Sequence, residues 1–223
     1  MEGNVDYGDT KDPRGELPPN PPVFSLDELI AQTQTSEVAK EAPKQDKEEK
    51  TPEPDPTAEI DISKLDIRVG VIKKAWEHEE ADKLFCEEID IGEESGPRQI
   101  ASGLKAHYNL EDLEGRKVLV LANLKARKLV GFPSHGMVLC AVSDDGKVVF
   151  MDPPEGAEVG ELVMVDGCDG EPATENQVIK KKMLDVIFPD LKTNADGVAT
   201  YRGKALTTSA GACKSSLFNA DIS

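Results

Sequence analysis

Apolar residues in this chain fall into short runs rich in β-branched side chains, at about 66–75, 84–91, 97–102, 116–122 and 137–142. Between them stand Gly92, Gly96, Gly103, Gly115, Gly131 and Gly146. Runs of this length punctuated by glycine predict strands joined by turns. In the last run Met137, Leu139 and Ala141 alternate with Val138 and Cys140, which is too apolar for a strand with one face in water. A short helical insert fits around Lys105 to Leu113, between the third and fourth strands. Five strands with one such insert suit an OB-fold, so an all-β core built as a five-stranded barrel is expected. Past about Val165 the pattern changes. Val178, Ile179, Met183, Leu184 and Ile187 sit at helical spacing, Pro189 ends the segment, and a strand-like stretch runs from Ala199 to Lys204. This reads as a small α+β unit.

Composition changes the picture at the N-terminal end. Up to Thr57 the chain is rich in Pro, Glu, Asp, Lys and Thr, with Tyr7 and Phe24 its only aromatics. Such a segment buries too little apolar surface to offset the entropy of ordering it, so residues 1–57 are expected to be a disordered acidic extension. Its one apolar cluster is Phe24 to Ala31. There Ser25 and Glu28 can form a capping box and Phe24 and Leu29 a hydrophobic staple. The segment is either a transient helix that orders on a partner groove or an inert spacer.

The formal net charge is −17, of which the stretch through Thr57 holds −8, with 14 acidic and 6 basic residues. The remainder carries 29 acidic against 20 basic residues, so any polyanion must be held by a one-sided basic patch. No apolar stretch approaches a membrane span, and Asp6, Asp9 and Asp12 stand where a secretion signal needs basic and then apolar residues. A cytoplasmic protein is expected. Cys86, Cys140, Cys168 and Cys213 form no Cys-x-x-Cys pair, and His78, His107 and His135 share no ligand spacing. Neither a metal nor a cofactor is indicated, and Cys86 and Cys140 are expected as buried thiols.

The candidate chemistry is concentrated in Lys125, Arg127 and Lys128, which crowd the approach to a turn ahead of the last strand. Three cations on one loop of a small barrel can neutralise phosphates, although a merely solvated loop has the same composition. Aromatic residues make up 4% of the chain, and Trp76, Tyr108 and Phe132 are the ones available near the barrel. An extended stacking platform is therefore not expected, and recognition should be of backbone and folded shape. No nucleophile with a base partner, Gly-rich phosphate loop or synthetase signature is visible, which argues against an enzyme.

The order of several motifs goes further. Ile67-Arg-Val-Gly-Val-Ile72, His78-Glu-Glu-Ala-Asp-Lys-Leu84, Glu88-Ile-Asp-Ile-Gly92, Arg98-Gln-Ile-Ala-Ser-Gly-Leu104 and the block from Asn123 to Ala141 follow one another. Together they resemble the tRNA-binding domain family, including its endothelial monocyte-activating polypeptide II type. The resemblance implies an OB-fold tRNA-binding domain over 61–165 and a C-terminal extension over 166–223. That extension would pack on the barrel and cover the surface through which a minimal relative dimerises, leaving a monomer. It also implies a non-catalytic auxiliary protein whose partners are tRNA and aminoacyl-tRNA synthetases. The alternative is a cytokine-like or scaffold factor without a tRNA role. Ser102, Asn123 and Ser134 lie in the shared motifs and either touch sugar and phosphate or satisfy local backbone. Met137 is a site residue or core packing, and Lys180, Lys181 and Lys182 extend the basic patch or simply solvate a helix.

Overall fold

The computed structural model describes residues 60–223. The expected disorder of 1–57 and the helix-start signal at Phe24 to Ala31 lie outside these residues. The first half contributes nine strands: β1 (Ile67–Glu77), β2 (Phe85–Asp90), β3 (Arg98–Ser102), β4 (Lys117–Leu121), β5 (Arg127–Leu129), β6 (Phe132–Ser134), β7 (Met137–Val138), β8 (Cys140–Val142) and β9 (Val148–Phe150). An antiparallel sheet runs β3-β2-β1-β4-β7, and β3 approaches β7, so the sheet curls into a nearly closed five-stranded barrel. All five expected strands are present. A register shift in β1 between Ile72 and Lys74 gives the long strand the bend that closure needs. Gly70 lies where a Cβ would meet Ile89 Cγ2 at 2.8 Å and Val120 Cγ2 at 3.1 Å, so only glycine lets β1 pack this closely.

The alternation along β4 explains why its sequence is apolar throughout. Val118 and Val120 face the barrel interior with Ile72, Phe85, Ile89, Ile100 and Phe150. Leu119 and Leu121 point the other way, into a second core shared with Ile67, Val69, Leu139, Val178, Met183 and Ile187. A strand buried on both faces loses the polar alternation of an edge strand. The last run, 137–142, behaves similarly and then divides at Leu139. Met137 and Val138 pair with β4, while Cys140 to Val142 pair with β9 and with the chain's final strand.

The remaining elements are β10 (Met164–Val165), α1 (Glu175–Lys180), α2 (Met183–Ile187), β11 (Leu191–Thr193), β12 (Ala199–Tyr201), β13 (Lys204–Thr208), β14 (Gly211–Ala212) and β15 (Asp221–Ile222). They continue a second sheet in the order β10-β13-β12-β11-β15-β8-β9, with β14 on the edge of β13. The C-terminal residues thus pack on the barrel and share its outer core.

Two helical expectations need correction. The insert at Lys105 to Leu113 holds only a 3-10 turn at Leu110–Asp112. The segment through Ile187 is two short helices, because Lys182 adopts a left-handed conformation (φ 47°) that breaks the hydrogen-bond ladder. Val178, Met183 and Ile187 point inward, whereas Ile179 is 45% exposed. Thr174 and Gln177 form a capping box that starts α1.

Candidate nucleic-acid interface

Arg127 and Lys128 stand on a hairpin that the sequence pattern did not reveal, and Lys125 stands on the segment that leads into it. β5 and β6 pair through Arg127 with Ser134, Lys128 with Pro133 and Leu129 with Phe132. Val130 and Gly131 join them, both at positive φ (47° and 84°). That is the geometry of a two-residue turn matched to strand twist. The signal was present in Val-Gly flanked by Leu129 and Phe132, but Val is a poor residue at positive φ and masks the turn. Arg127 and Lys128 are successive in a strand and so project to opposite faces of the hairpin. All three cations are exposed, and none has an ion-pair partner among the described residues.

The base of the hairpin is fixed to the barrel by polar contacts. Ser134 is buried, and its Oγ accepts from the Ala101 amide and donates to the Gly136 carbonyl, each at 3.1 Å. The His135 amide donates to the Gln99 carbonyl at 2.8 Å. Asn123 is likewise buried. Its Oδ1 accepts from the Asp66 amide at 2.9 Å, and its Nδ2 donates to the carbonyls of Lys64 and Ala173 at 2.8 Å. Both side chains make these hydrogen bonds inside the protein and thereby fix the approach to the hairpin.

Arg98 is a positioning residue that sequence reasoning missed. Its Nη1 donates to the carbonyls of Ala122 and His135 at 2.6 and 2.9 Å, while Nε and Nη2 hold Glu93 at 2.7 and 2.6 Å. This clamp joins the two ends of the segment that carries the hairpin. The Glu93 carboxyl is held below its ordinary range mainly by the hydrogen bond from Arg98. Nothing in an isolated Arg at the start of a strand announces that role.

Ser102 and Met137 are placed differently. Ser102 Oγ donates to Glu87 Oε1 at 2.6 Å. Glu87 is fully buried, its Oε2 has no hydrogen-bond partner among the described residues, and burial pushes its carboxyl up to about 7 despite the bond from Ser102. Met137 pairs with Leu121 and packs on the outer core. Lys180, Lys181 and Lys182 are exposed but straddle the break between α1 and α2, so they do not line one helical face. Cys86 and Cys140 are buried thiols, and burial pushes Cys140 up to about 12. Among the described residues no three His, Cys, Asp or Glu side chains converge as metal ligands, and no helix is long and apolar enough to cross a membrane.

Beside the hairpin lies a small aromatic group. Phe132 of β6 meets Trp76 of β1 edge to face, with ring centroids 5.8 Å apart and planes at 78°. His78 meets the same Phe132 at 6.3 Å and 80°. Lys74 Nζ stands 5.3 Å from the Trp76 ring centroid.

A nearly closed antiparallel barrel that projects unpaired cations beside aromatic rings defines an OB-fold binding module. More particularly, residues 67–162 match the family described as "Putative tRNA binding domain". The solved C-terminal domain of Plasmodium vivax p43 is 36% identical, with a TM-score of 0.68 over 74% of this chain and 99% of that one. The chain belongs to this tRNA-binding domain family. It is also 46% identical over 144 residues to the mouse aminoacyl tRNA synthase complex-interacting multifunctional protein 1, covering 65% of this chain and 46% of that protein. With the cytoplasmic methionine–tRNA ligase of Arabidopsis thaliana it shares 45% identity over 178 residues, 77% of this chain and 22% of that enzyme. The chain therefore spans less than half the length of these two relatives.

Proposed function

We propose that this chain is a non-catalytic tRNA-binding auxiliary protein that keeps tRNA close to aminoacyl-tRNA synthetases. The observation that carries the reading is the β5–β6 hairpin with the segment leading into it, which presents Lys125, Arg127 and Lys128 unpaired on a base anchored by Ser134, Asn123 and Arg98. Cations without protein partners give up no internal ion pair when they meet phosphate, so their contact energy is available to the ligand. Relatives named as a methionine–tRNA ligase and as a protein that interacts with the synthase complex support the choice of polyanion and of partner. Holding tRNA weakly near a synthetase raises its local concentration without new chemistry. Lys180, Lys181 and Lys182 add charge outside the hairpin, while Ser102 and Met137 act by holding the barrel on which it stands. The residues from 166 onward cover Leu119 and Leu121, and the protein works as a monomer with its barrel face already occupied.

The test is a filter-binding titration with total tRNA at two salt concentrations, on the wild type and on the triple variant K125A/R127A/K128A. Each cation that neutralises a phosphate contributes about 0.7–0.9 to the slope of log affinity against log salt. The triple variant should bind more weakly and lose about two units of slope. Unchanged affinity and slope would place the contacts elsewhere and remove the reading.

A further inference from the structure

The aromatic group beside the hairpin has a chemistry that phosphate binding leaves unused. Trp76, Cys86 and Ala101 face one another across β1, β2 and β3 in register. The hairpin folds toward this outer side of the sheet, tied by Ser134 to Ala101 and by His135 to Gln99. Cys86 lies 1% exposed in the middle of the row, whereas Trp76 and Phe132 remain half-buried. In an edge-to-face pair the edge of one ring covers one face of the other, and the contact leaves the remaining faces of the two rings uncovered by each other. Lys74 stands over the Trp76 ring, and its flexible side chain is itself exposed.

A single-stranded nucleotide presents what this surface accepts, namely a flat base for the ring and a phosphate for the nearby ammonium groups. A base inside a paired helix has both faces covered, so a duplex offers the phosphate but no free face to the ring. We propose that Trp76 and Phe132 form a stacking site for one unpaired base of the bound RNA, with Lys74 leaving the indole to meet that nucleotide's phosphate. The site takes one base, because no third ring other than His78 adjoins the pair among the described aromatic contacts. It rests on the RNA-binding reading above and narrows it, since the preferred ligand is RNA that combines a folded backbone with an exposed unpaired base. The hairpin cations then provide charge-dependent affinity, while the ring pair adds a component insensitive to salt.

The chain has a single tryptophan, so its tryptophan emission, excited at wavelengths where tyrosine does not absorb, reports on this site alone. The full chain is titrated with tRNA, with a short single-stranded oligoadenylate, and with a fully paired RNA duplex of equal length, and filter binding is measured in parallel. The expected result is quenching by tRNA and by the single strand but not by the duplex. Replacement W76L should weaken tRNA binding about 5- to 150-fold, the range for loss of one base–aromatic stack, with the salt slope unchanged. W76F should recover most of that loss. Retained tRNA binding with no change in Trp76 emission, or equal quenching by the duplex, overturns the stacking site while leaving the tRNA reading intact. Absence of binding to any of the three RNAs overturns both.

Discussion

A buried carboxylate under this sheet makes the stability of the protein depend on pH in a direction opposite to that of a salt-bridged acid. Glu87 on β2 is 0% exposed, one oxygen accepts from Ser102, and the other has no partner among the described residues. Burial raises its pKa from an ordinary 4.5 to about 7. The folded protein therefore binds a proton more tightly than the unfolded chain between those two values. Linkage makes stability fall with pH wherever the folded state holds more protons. The contribution of Glu87 is fully present below pH 4.5 and is lost as pH rises through about 7. A difference of 2.5 between the two values, at about 1.4 kcal/mol each, gives an upper limit of roughly 3 kcal/mol. Replacement E87Q keeps the size and the acceptor for Ser102 while removing the titration. Urea unfolding of both proteins at pH 5, 6, 7 and 8 isolates this group from the other carboxylates, because only the difference between the curves is used. The wild type should lose about 2–3 kcal/mol relative to E87Q across that range, with most of the loss between pH 5 and 7. Parallel curves would show that Glu87 is ionised or solvated at little cost, and the reasoning would fail.

Two further outcomes follow from packing and backbone geometry. Val130 occupies the first position of the hairpin turn at φ 47° and is 53% exposed, so V130N should raise stability by about 1 kcal/mol in thermal unfolding. A lower melting temperature would mean that the Val130 side chain supports the hairpin through contact rather than straining it. Ending the chain after Val165 would bare Ile67, Val69, Leu119 and Leu121, whose burial against the C-terminal residues is worth about 1.5–3 kcal/mol each. The truncated protein should sediment as a dimer or precipitate, and a soluble monomer with an unchanged melting temperature would contradict the proposed covering role.

How much of this was legible in the sequence depended on whether a pattern was local. Short runs of β-branched residues with glycine stops located β1, β2, β3, β4 and the strand beginning at Met137, because each element carries that signal within its own few residues. The apolar excess of the run from Met137 marked it as no surface strand, and Val138, Leu139, Cys140 and Ala141 are all buried. The hairpin of β5 and β6 was missed because its turn uses Val130 where Asn or Gly normally signals positive φ. The helix through Ile187 was drawn too long, since the apolar spacing of Val178, Met183 and Ile187 persists across a backbone break at Lys182 that leaves no trace in hydrophobicity. At the site, charge alone singled out Lys125, Arg127 and Lys128. Asn123 and Ser134 read equally well as ligands or supports, because the partners that hold them inside the protein lie 33 to 59 residues away. The pairing of Trp76 with Phe132 was invisible for the same reason, as it joins β1 to a hairpin more than fifty residues later.

The acidity of the chain and the basic hairpin act over different distances, which is how both can stand in one RNA-binding protein. At physiological salt a charge is screened beyond about 8 Å, so most of the carboxylates outside the N-terminal 57 residues do not oppose a phosphate at the hairpin. Several nearby acids are also occupied: Glu93 is held by Arg98, Asp66 by Arg68 and Glu77 by Lys105. Net negative charge then acts mainly on approach, slowing encounter with another polyanion, while on the proposed reading the contact itself would depend on the three unpaired cations. An auxiliary protein of the proposed kind would gain from that division. Slow, salt-sensitive capture would keep tRNA exchangeable, and the proposed aromatic contact, indifferent to salt, would let affinity rise for RNAs with an exposed base without trapping every polyanion.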